Sequence, residues 1–599
     1  MRFKVLALDY DGTVAQADTL DPQVREALDD LRRQDIVVVL VTGRIIEDLR
    51  RVAGDLRFLD AVVAENGAVI EFPDTGYMPA SSPPPPEAFV QALRHKGIVH
   101  HAGRSVVEAD ANDAVGILEI LRRLELPLAL AFNRGRVMVL PQAVSKATGL
   151  RKALAILRLS PHNAVAIGDA ENDHELLRVC EVGVAVEWGS EALKASADYV
   201  LPGEGPEAVA AYIRALANRR RLPLPISTRR RLLVGQQDDG RPLALAVRGR
   251  NILVAGNPRS GKSWVTGLLC EQLILDGYCV CILDPEGDYV SLEALPGVVV
   301  FGGTDPLPRP RDLLRALRHP DVSIVVDLSH AAHEEKVAYL RATLPLLATL
   351  RRRTGLPHRI VVDEAHYFLH DPDVTELLDL DLNGYTLVTY RASKLHPDVL
   401  AATHGIIVTC ESDPHEVRAL VELCRTCEGQ TPAGDWERLL GGLAVGEAVA
   451  LPITEEAEGV ARRVRLAPRL TPHVRHQAKY VDIPVPDGRA FVFSRGGDPI
   501  GIRTPTLRAF IEILDRTPAD VVAGHADRHD FSRWIADVFG DHPLAETIRR
   551  LEGEYAGRVP DLVVNLTQAI RARYDLVESP WPASADLPAG RGAVDRPPY

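Results

Sequence analysis

The sequence predicts two α/β domains in series, followed by a smaller α-rich module. Three observations carry this. Short apolar runs alternate with amphipathic stretches over residues 1–215 and again over 232–466, the rhythm of buried parallel strands joined by helices. Two breaks interrupt that rhythm, a Ser-Ser-Pro-Pro-Pro-Pro run at 81–86 and an Arg- and Pro-rich stretch within 216–231. The chain has 599 residues, more than the ~300 that one hydrophobic core usually supports.

Composition sets the outer bounds. Hydrophobic residues at 46% and charged residues at 25% exclude a fibrous or wholly disordered chain. Aromatics are only 5%, so Ala, Val, Leu and Ile must build the cores. Acids outnumber bases, 82 to 69, for a net charge of −13. That excludes a uniformly basic nucleic-acid coat but leaves room for a local basic patch or pore. Seven cysteines do not make a disulfide framework in a chain of this length. The start lacks the apolar stretch of a signal peptide, and no run approaches the ~20 apolar residues of a membrane helix. The expected setting is a reducing cytoplasm, with no membrane contact.

In the first block the strands are expected at 4–8, 36–41, 61–65, 164–168 and 182–186, forming a parallel sheet buried on both faces. The Pro run opens an inserted subdomain over about 73–143. Residues 216–231 read as a linker, either a solvated connector or a nucleic-acid or partner contact. The second block has strands at 251–256, 279–284, 323–329, 359–366, 386–391 and 405–410. Residues 467–580 form the third module, and 581–599 a disordered tail rich in Pro, Ala and Gly.

Asp9-Tyr10-Asp11-Gly12-Thr13 directly follows the first strand. Two carboxylates at i and i+2 on such a loop can share a metal and a reacting group. Thr42-Gly43-Arg44 ends the second strand, Lys146 opens a helix, and Gly168-Asp169 through Asp173 ends another strand. Each piece alone is weak, but all four in this order are specific. Here the sequence resembles the haloacid dehalogenase superfamily of phosphatases. The resemblance implies a Rossmann-like core, and the insertion at about 73–143 looks like the α/β cap of subclass IIB, which includes phosphoglycolate and sugar-phosphate phosphatases.

The resemblance implies a role for each residue. Asp9 attacks phosphorus and forms an aspartyl-phosphate. Asp11 protonates the leaving oxygen and then activates water. Thr42, Gly43 and Lys146 hold the phosphoryl oxygens. Asp9, the carbonyl of Asp11, and Asp169 hold Mg²⁺, supported by Asp173. Arg44, Glu65 and Asn66 sit at the same sheet end and are candidates for substrate or cap contacts.

Gly256-Asn257-Pro258-Arg259-Ser260-Gly261-Lys262-Ser263 fits the phosphate-loop pattern, between a strand and a helix as that motif requires. Backbone N–H groups would cradle ATP phosphates, Lys262 would reach the β/γ-phosphates, and Ser263 would ligate Mg²⁺. Asp363 ends a later strand and would complete the Mg²⁺ shell. Glu364 would polarise the attacking water, which favours hydrolysis. With Asp284-Pro285-Glu286-Gly287-Asp288-Tyr289, this block resembles the HerA/FtsK/VirB-type ATPases, with a RecA-like fold. The resemblance implies a homo-oligomeric ring, a hexamer in such motors, moving DNA or protein. Where these motors carry a sensor Gln, this chain has Tyr390, which supplies no amide and predicts slow turnover.

Weaker signals are Cys424 and Cys427, read as buried thiols, and His473, His476, His525 and His529, read as solvated or capping residues. The combined expectation is a bifunctional phosphohydrolase acting on a phosphorylated small molecule or nucleic-acid end. The alternative is a small-metabolite phosphatase with a regulatory or scaffolding ATP-binding domain.

Overall fold

The computed structural model describes residues 2–16, 18–79, 82–133, 135–219, 229–370, 373–424, 433–452, 461–472, 485, 487–539 and 542–573. His473, His476, Cys427 and the 581–599 tail lie outside them. The chain forms two compact units, Met1–Val474 and Arg475–Tyr599.

The first unit holds two large sheets. The first has seven strands, in the order Tyr199–Leu201, Val182–Val186, Ala164–Gly168, Val5–Leu8, Val37–Val41, Ala61–Ala64 and Val69–Glu71. The central strands are fully buried runs of Val, Leu, Ala and Ile, covered by helices on both faces. Six strands are parallel, including all five expected ones, and the additional strand Val69–Glu71 pairs antiparallel with Ala61–Ala64. The reason is local. Glu65, Asn66 and Gly67 all take left-handed backbone angles, and so short a turn can only reverse the chain.

The insertion forms a separate antiparallel sheet, His100–Ala102, Val107–Asp110, Arg136–Pro141 and Leu128–Asn133 in that order. Helices Glu87–His95 and Ala114–Arg123 cover one face through Phe89, Leu93, Ile117 and Ile120. This is the expected cap.

The second sheet has eleven strands. Seven parallel strands form its centre, in the order Gly405–Val408, Ile252–Ala255, Tyr385–Thr389, Arg359–Val362, Val280–Asp284, Ser323–Asp327 and Val298–Gly302. Four antiparallel strands extend one side, Glu447–Pro452, Arg462–Leu466, Arg231–Gln237 and Pro242–Ala246.

These sheets meet through their amino edges. Glu181, which precedes Val182–Val186, is buried at the seam. Its Oε2 accepts a hydrogen bond from the Tyr278 hydroxyl at 2.8 Å and lies 3.0 Å from His162 Nδ1 and 3.5 Å from Arg230 Nε. The His162 ring stacks on Tyr278 at 3.7 Å. Asn163 Oδ1 lies 3.1 Å from His358 Nε2, and His358 Nδ1 accepts from the Cys279 N–H at 2.8 Å. Burial, with His162 nearby, pushes the His358 pKa well down, so the ring is neutral and its Nε2 carries the proton given to Asn163. Arg229 and Arg230, expected in a solvated connector or a nucleic-acid or partner contact, are docked against the first domain. Arg229 pairs with Asp198, and Arg230 donates to the carbonyls of Arg178, Val179 and Cys180.

Every seam residue precedes a strand, whereas the motif residues follow strands. The two motif-bearing edges therefore point away from each other, roughly 35 Å apart or more across two strands of ~17 Å each.

The second unit packs a hairpin, Phe491–Arg495 with Asp498–Thr504, against helices including Leu507–Leu514, Ala519–Asp527, His542–Glu554 and Val559–Arg573. Phe491, Phe510, Phe531 and Trp534 form its aromatic core. His525 is buried rather than solvated: Nε2 accepts from the Ser494 N–H at 2.9 Å and Nδ1 lies 2.8 Å from Asp530 Oδ2. His529 Nδ1 is 3.0 Å from the buried Glu552. Cys424 is buried and disulfide-bonded, not a free thiol. Among the described residues, no helix is long and apolar enough to cross a membrane.

The seam makes a pH-dependent prediction. Burial alone would raise the Glu181 pKa, but the His162 hydrogen bond and the charges of His162, Arg230 and Arg248 bring it below its ordinary 4.5. A depressed carboxyl stabilises the fold above its unfolded value and loses that contribution as pH falls through the folded one. Glu181→Gln should cost about 1–3 kcal/mol in urea unfolding at pH 7. The gap from wild type should shrink progressively as pH falls below 4.5, and a gap that widens over that range contradicts this.

Candidate active sites

The first site lies at the carboxyl edge of the seven-stranded sheet. Asp9 follows Val5–Leu8, Thr42 follows Val37–Val41, and Asp169 follows Ala164–Gly168. Lys146 is the first residue of helix Lys146–Ile156, entered through a Ser145–Thr148 capping box. Its Nζ donates to Asp9 Oδ1 and to Asp173 Oδ1, both at 2.6 Å. Asp173 Oδ2 accepts from the Asp169 and Ala170 N–H groups at 3.0 and 3.1 Å. Thr13 Oγ1 donates to Asp169 Oδ1 at 3.3 Å.

Close backbone approach makes this convergence possible. A Cβ on Gly149 would meet Val63 Cγ1 at 2.5 Å and Gly67 Cα at 2.6 Å. Glycine there lets the Lys146 helix seat against the Glu65–Gly67 turn. Likewise, a Cβ on Gly168 would lie 2.6 Å from the Asp173 carboxyl carbon.

Asp9, Asp169 and Asp173 are all buried, and each offers an oxygen within 4.8 Å of the others. Burial, then Asp173, raises the Asp9 pKa well above the usual range, against the pull of Lys146. Three carboxylates facing one ammonium leave an excess of negative charge that a hard divalent cation would neutralise, so the donor set fits one. The Asp11 carboxylate stands apart from this cluster. Arg44 grips it, with Nε at 2.8 and 3.0 Å from its two oxygens and Nη2 at 2.5 Å, and Arg44 also pairs with Asp18. Thr42 is fully buried, and its Oγ1 accepts from the Arg44 N–H at 3.1 Å, with Gly43 between them. Glu65 clamps the cap: its two oxygens accept from the Arg104 and Ser105 N–H groups at 2.9 and 2.8 Å.

The second site lies at the carboxyl edge of the eleven-stranded sheet. Gly256, Arg259 and Gly261 take left-handed angles that curl the loop through Asn257, Pro258 and Ser260. A Cβ on Gly256 would lie 2.2 Å from Thr409 Oγ1. Lys262 opens the following helix, and its Nζ donates to the Asn257 carbonyl at 3.0 Å. Ser263 Oγ donates to Asp288 Oδ2 at 2.5 Å. Asp363, expected in the Mg²⁺ shell, is buried and accepts from the Glu364 N–H at 2.8 Å. Asp288, beside Ser263, is a further candidate that was not among the expected site residues. The Asp-Pro-Glu-Gly-Asp run was its signal, because Asp284 takes the N–H groups of Glu286, Gly287 and Tyr289 and thereby wraps the loop so that Asp288 faces Ser263. Glu364 is buried 3.5 Å from His366 Nδ1, and Tyr390 packs edge-on to His366 at 4.4 Å.

These two edges define a phosphohydrolase joined to a phosphate-loop ATPase domain. Residues 6–97 and 99–213 match the haloacid dehalogenase-like hydrolases, and residues 248–347 match the central domain of the helicase HerA. The chain is 30% identical over 226 residues to a phosphoglycolate phosphatase of Methanopyrus kandleri, covering 35% of this chain and 94% of that protein. A phosphoglycolate phosphatase of Methanosarcina acetivorans is 30% identical over 216 residues, 33% and 90% of the two chains. The structure of a haloacid dehalogenase-like hydrolase from Bacteroides thetaiotaomicron aligns with 36% of this chain and all of its own, at 20% identity and a TM-score of 0.32. Through its N-terminal third the chain belongs to the haloacid dehalogenase-like hydrolases.

The packing at Gly149 is directly testable. Gly149→Ala should push the helix off the Glu65–Gly67 turn and displace Lys146. The expected result is a loss of tenfold or more in kcat/KM for p-nitrophenyl phosphate, since misplacement by ~1 Å can cost ~10²-fold. ATP hydrolysis in the same preparation should be unchanged.

Proposed function

We propose that residues 1–215 are a Mg²⁺-dependent phosphatase for a small phosphate monoester, and that residues 232–466 hydrolyse ATP. The observation that carries the first reading is the double contact of Lys146 with Asp9 and Asp173. Asp9 is the nucleophile: its carboxylate attacks phosphorus, and the P–O bond to the leaving group breaks as an aspartyl-phosphate forms. Asp11 donates a proton to the leaving oxygen, then takes one from the water that hydrolyses the acyl-phosphate. For the first step Asp11 must be released from Arg44, an exchange that substrate oxygens arriving beside Arg44 would drive. Lys146 and the Thr42–Gly43 turn hold the equatorial phosphoryl oxygens. Asp9, the Asp11 carbonyl, Asp169 and Asp173 would hold Mg²⁺, which neutralises phosphate charge when bound.

A small substrate is favoured over a nucleic-acid end because the cap, clamped by Glu65, stands at the site's entrance. The relatives named as phosphoglycolate phosphatases point the same way. The back-to-back seam also argues against direct hand-off from the ATPase to the phosphatase of the same chain.

In the ATPase, Gly256–Ser263 cradles the phosphates, with Lys262 turning from the Asn257 carbonyl to the β/γ-phosphates. Ser263 with Asp363, joined by Asp288, would hold Mg²⁺, and Glu364 polarises water. DNA as cargo, a cytoplasmic setting and a hexameric ring belong to the same reading, through the HerA-type domain.

Asp9→Asn should lower phosphatase turnover by roughly 10⁴-fold or more while sparing ATP hydrolysis. Lys262→Ala should do the reverse, and EDTA should abolish both activities. Phosphatase activity of Asp9→Asn within tenfold of wild type would remove the nucleophile assignment. With Tyr390 at the sensor position, ATP turnover should fall below the ~10 s⁻¹ typical of enzymes. Light scattering with ATP and Mg²⁺ should give a ring-sized mass that Lys262→Ala loses, and a strictly monomeric mass at micromolar protein would leave a switch-like ATPase.

A further inference from the structure

We propose that the cavity beside the seam binds a phosphate-bearing small molecule of nucleotide size. The cavity measures about 1460 Å³, above the ~300–1,000 Å³ of most small-molecule clefts. Four arginines line it, Arg151 and Arg178 from the phosphatase and Arg229 and Arg230 from the connecting chain. Two already have work in the fold, Arg229 with Asp198 and Arg230 with Glu181 and three carbonyls. No hydrogen bond or ion pair among the described residues engages the guanidinium of Arg151 or Arg178, and both residues are exposed. Guanidinium presents a planar fork of donors that matches phosphate oxygens.

The facing wall has the opposite character. Asp276 and Asp321 line it, both exposed. Carboxylates repel a phosphate but accept from sugar hydroxyls or a base amino group. A ligand spanning the cavity should therefore carry phosphate at one end and hydrogen-bond donors at the other. A bare anion satisfies only one wall.

The position gives such a ligand reach into both sites. Arg151 lies on the helix that begins with Lys146, and Arg178 on helix His174–Val179, which starts just after Asp173. Residues 274–278 form the end of the helix that begins with Lys262 and the turn that follows it. The cavity thus touches the supports of both active sites, although their mouths point apart.

The test is equilibrium dialysis of the full chain with labelled AMP or ribose 5-phosphate in EDTA. Without metal, the acidic phosphatase centre repels phosphate, and the phosphate loop lacks the β-phosphate it grips. Saturable AMP binding is expected, weakened tenfold or more by Arg151→Ala/Arg178→Ala, with the melting temperature unchanged. Equal binding of ribose 5-phosphate would assign recognition to phosphate and sugar alone. The proposal fails if neither compound binds saturably, or if the double substitution leaves binding unaltered.

Discussion

The buried carboxylate of Glu181 organises the larger unit. It sits where two parallel sheets meet by their amino edges, and its partners come from both: His162 from the first, Tyr278 from the second, and Arg230 from the chain that joins them. A carboxylate withdrawn from water is costly unless such partners replace the lost hydration. For Oε2 they do, and holding them together requires both domains in one relative placement, while Oε1 is buried with no hydrogen-bond partner among the described residues. The consequence is directional. In a parallel sheet, reactive loops gather at the carboxyl ends of the strands. Joining two sheets at their amino ends therefore sends the two active edges outward, so each works on its own solvent face.

Within the phosphatase, the comparable constraint is the convergence of Lys146 on Asp9 and Asp173. These residues are far apart in sequence and meet only because glycine at 67, 149 and 168 removes side-chain bulk where backbones touch. The charge balance is deliberately incomplete, with one ammonium among three buried carboxylates. That imbalance leaves a donor set that fits a hard divalent cation. Arg44 adds a second layer of control by holding Asp11 to one side.

The ATPase edge shows a related economy. Asp284 is consumed by three backbone N–H groups, and the turn it builds delivers Asp288 to Ser263. Tyr390 packs against His366, which lies beside Glu364. The chain keeps a phosphate loop and an acidic strand end, with the rings of Tyr367 and Tyr390 packed on His366 beside Glu364.

By itself the sequence determined what local pattern encodes. The buried strands appear as continuous apolar runs, the phosphate loop as its glycines and Lys262, and the phosphatase as four short motifs in order. These are legible because each depends on residues near one another in the chain and on a strand or helix period. Tertiary structure alone decided the rest. The short edge strands, the reversal at Glu65–Gly67, the grip of Arg44 on Asp11, and the pairing of Ser263 with Asp288 carry no periodic signal. Arg229 and Arg230 read as a solvated connector or a partner contact, yet they help close the seam through groups up to 52 residues away. Such contacts depend on which buried polar group remains to be satisfied after the sheets have packed, and that is settled only when distant segments share the same low-dielectric space.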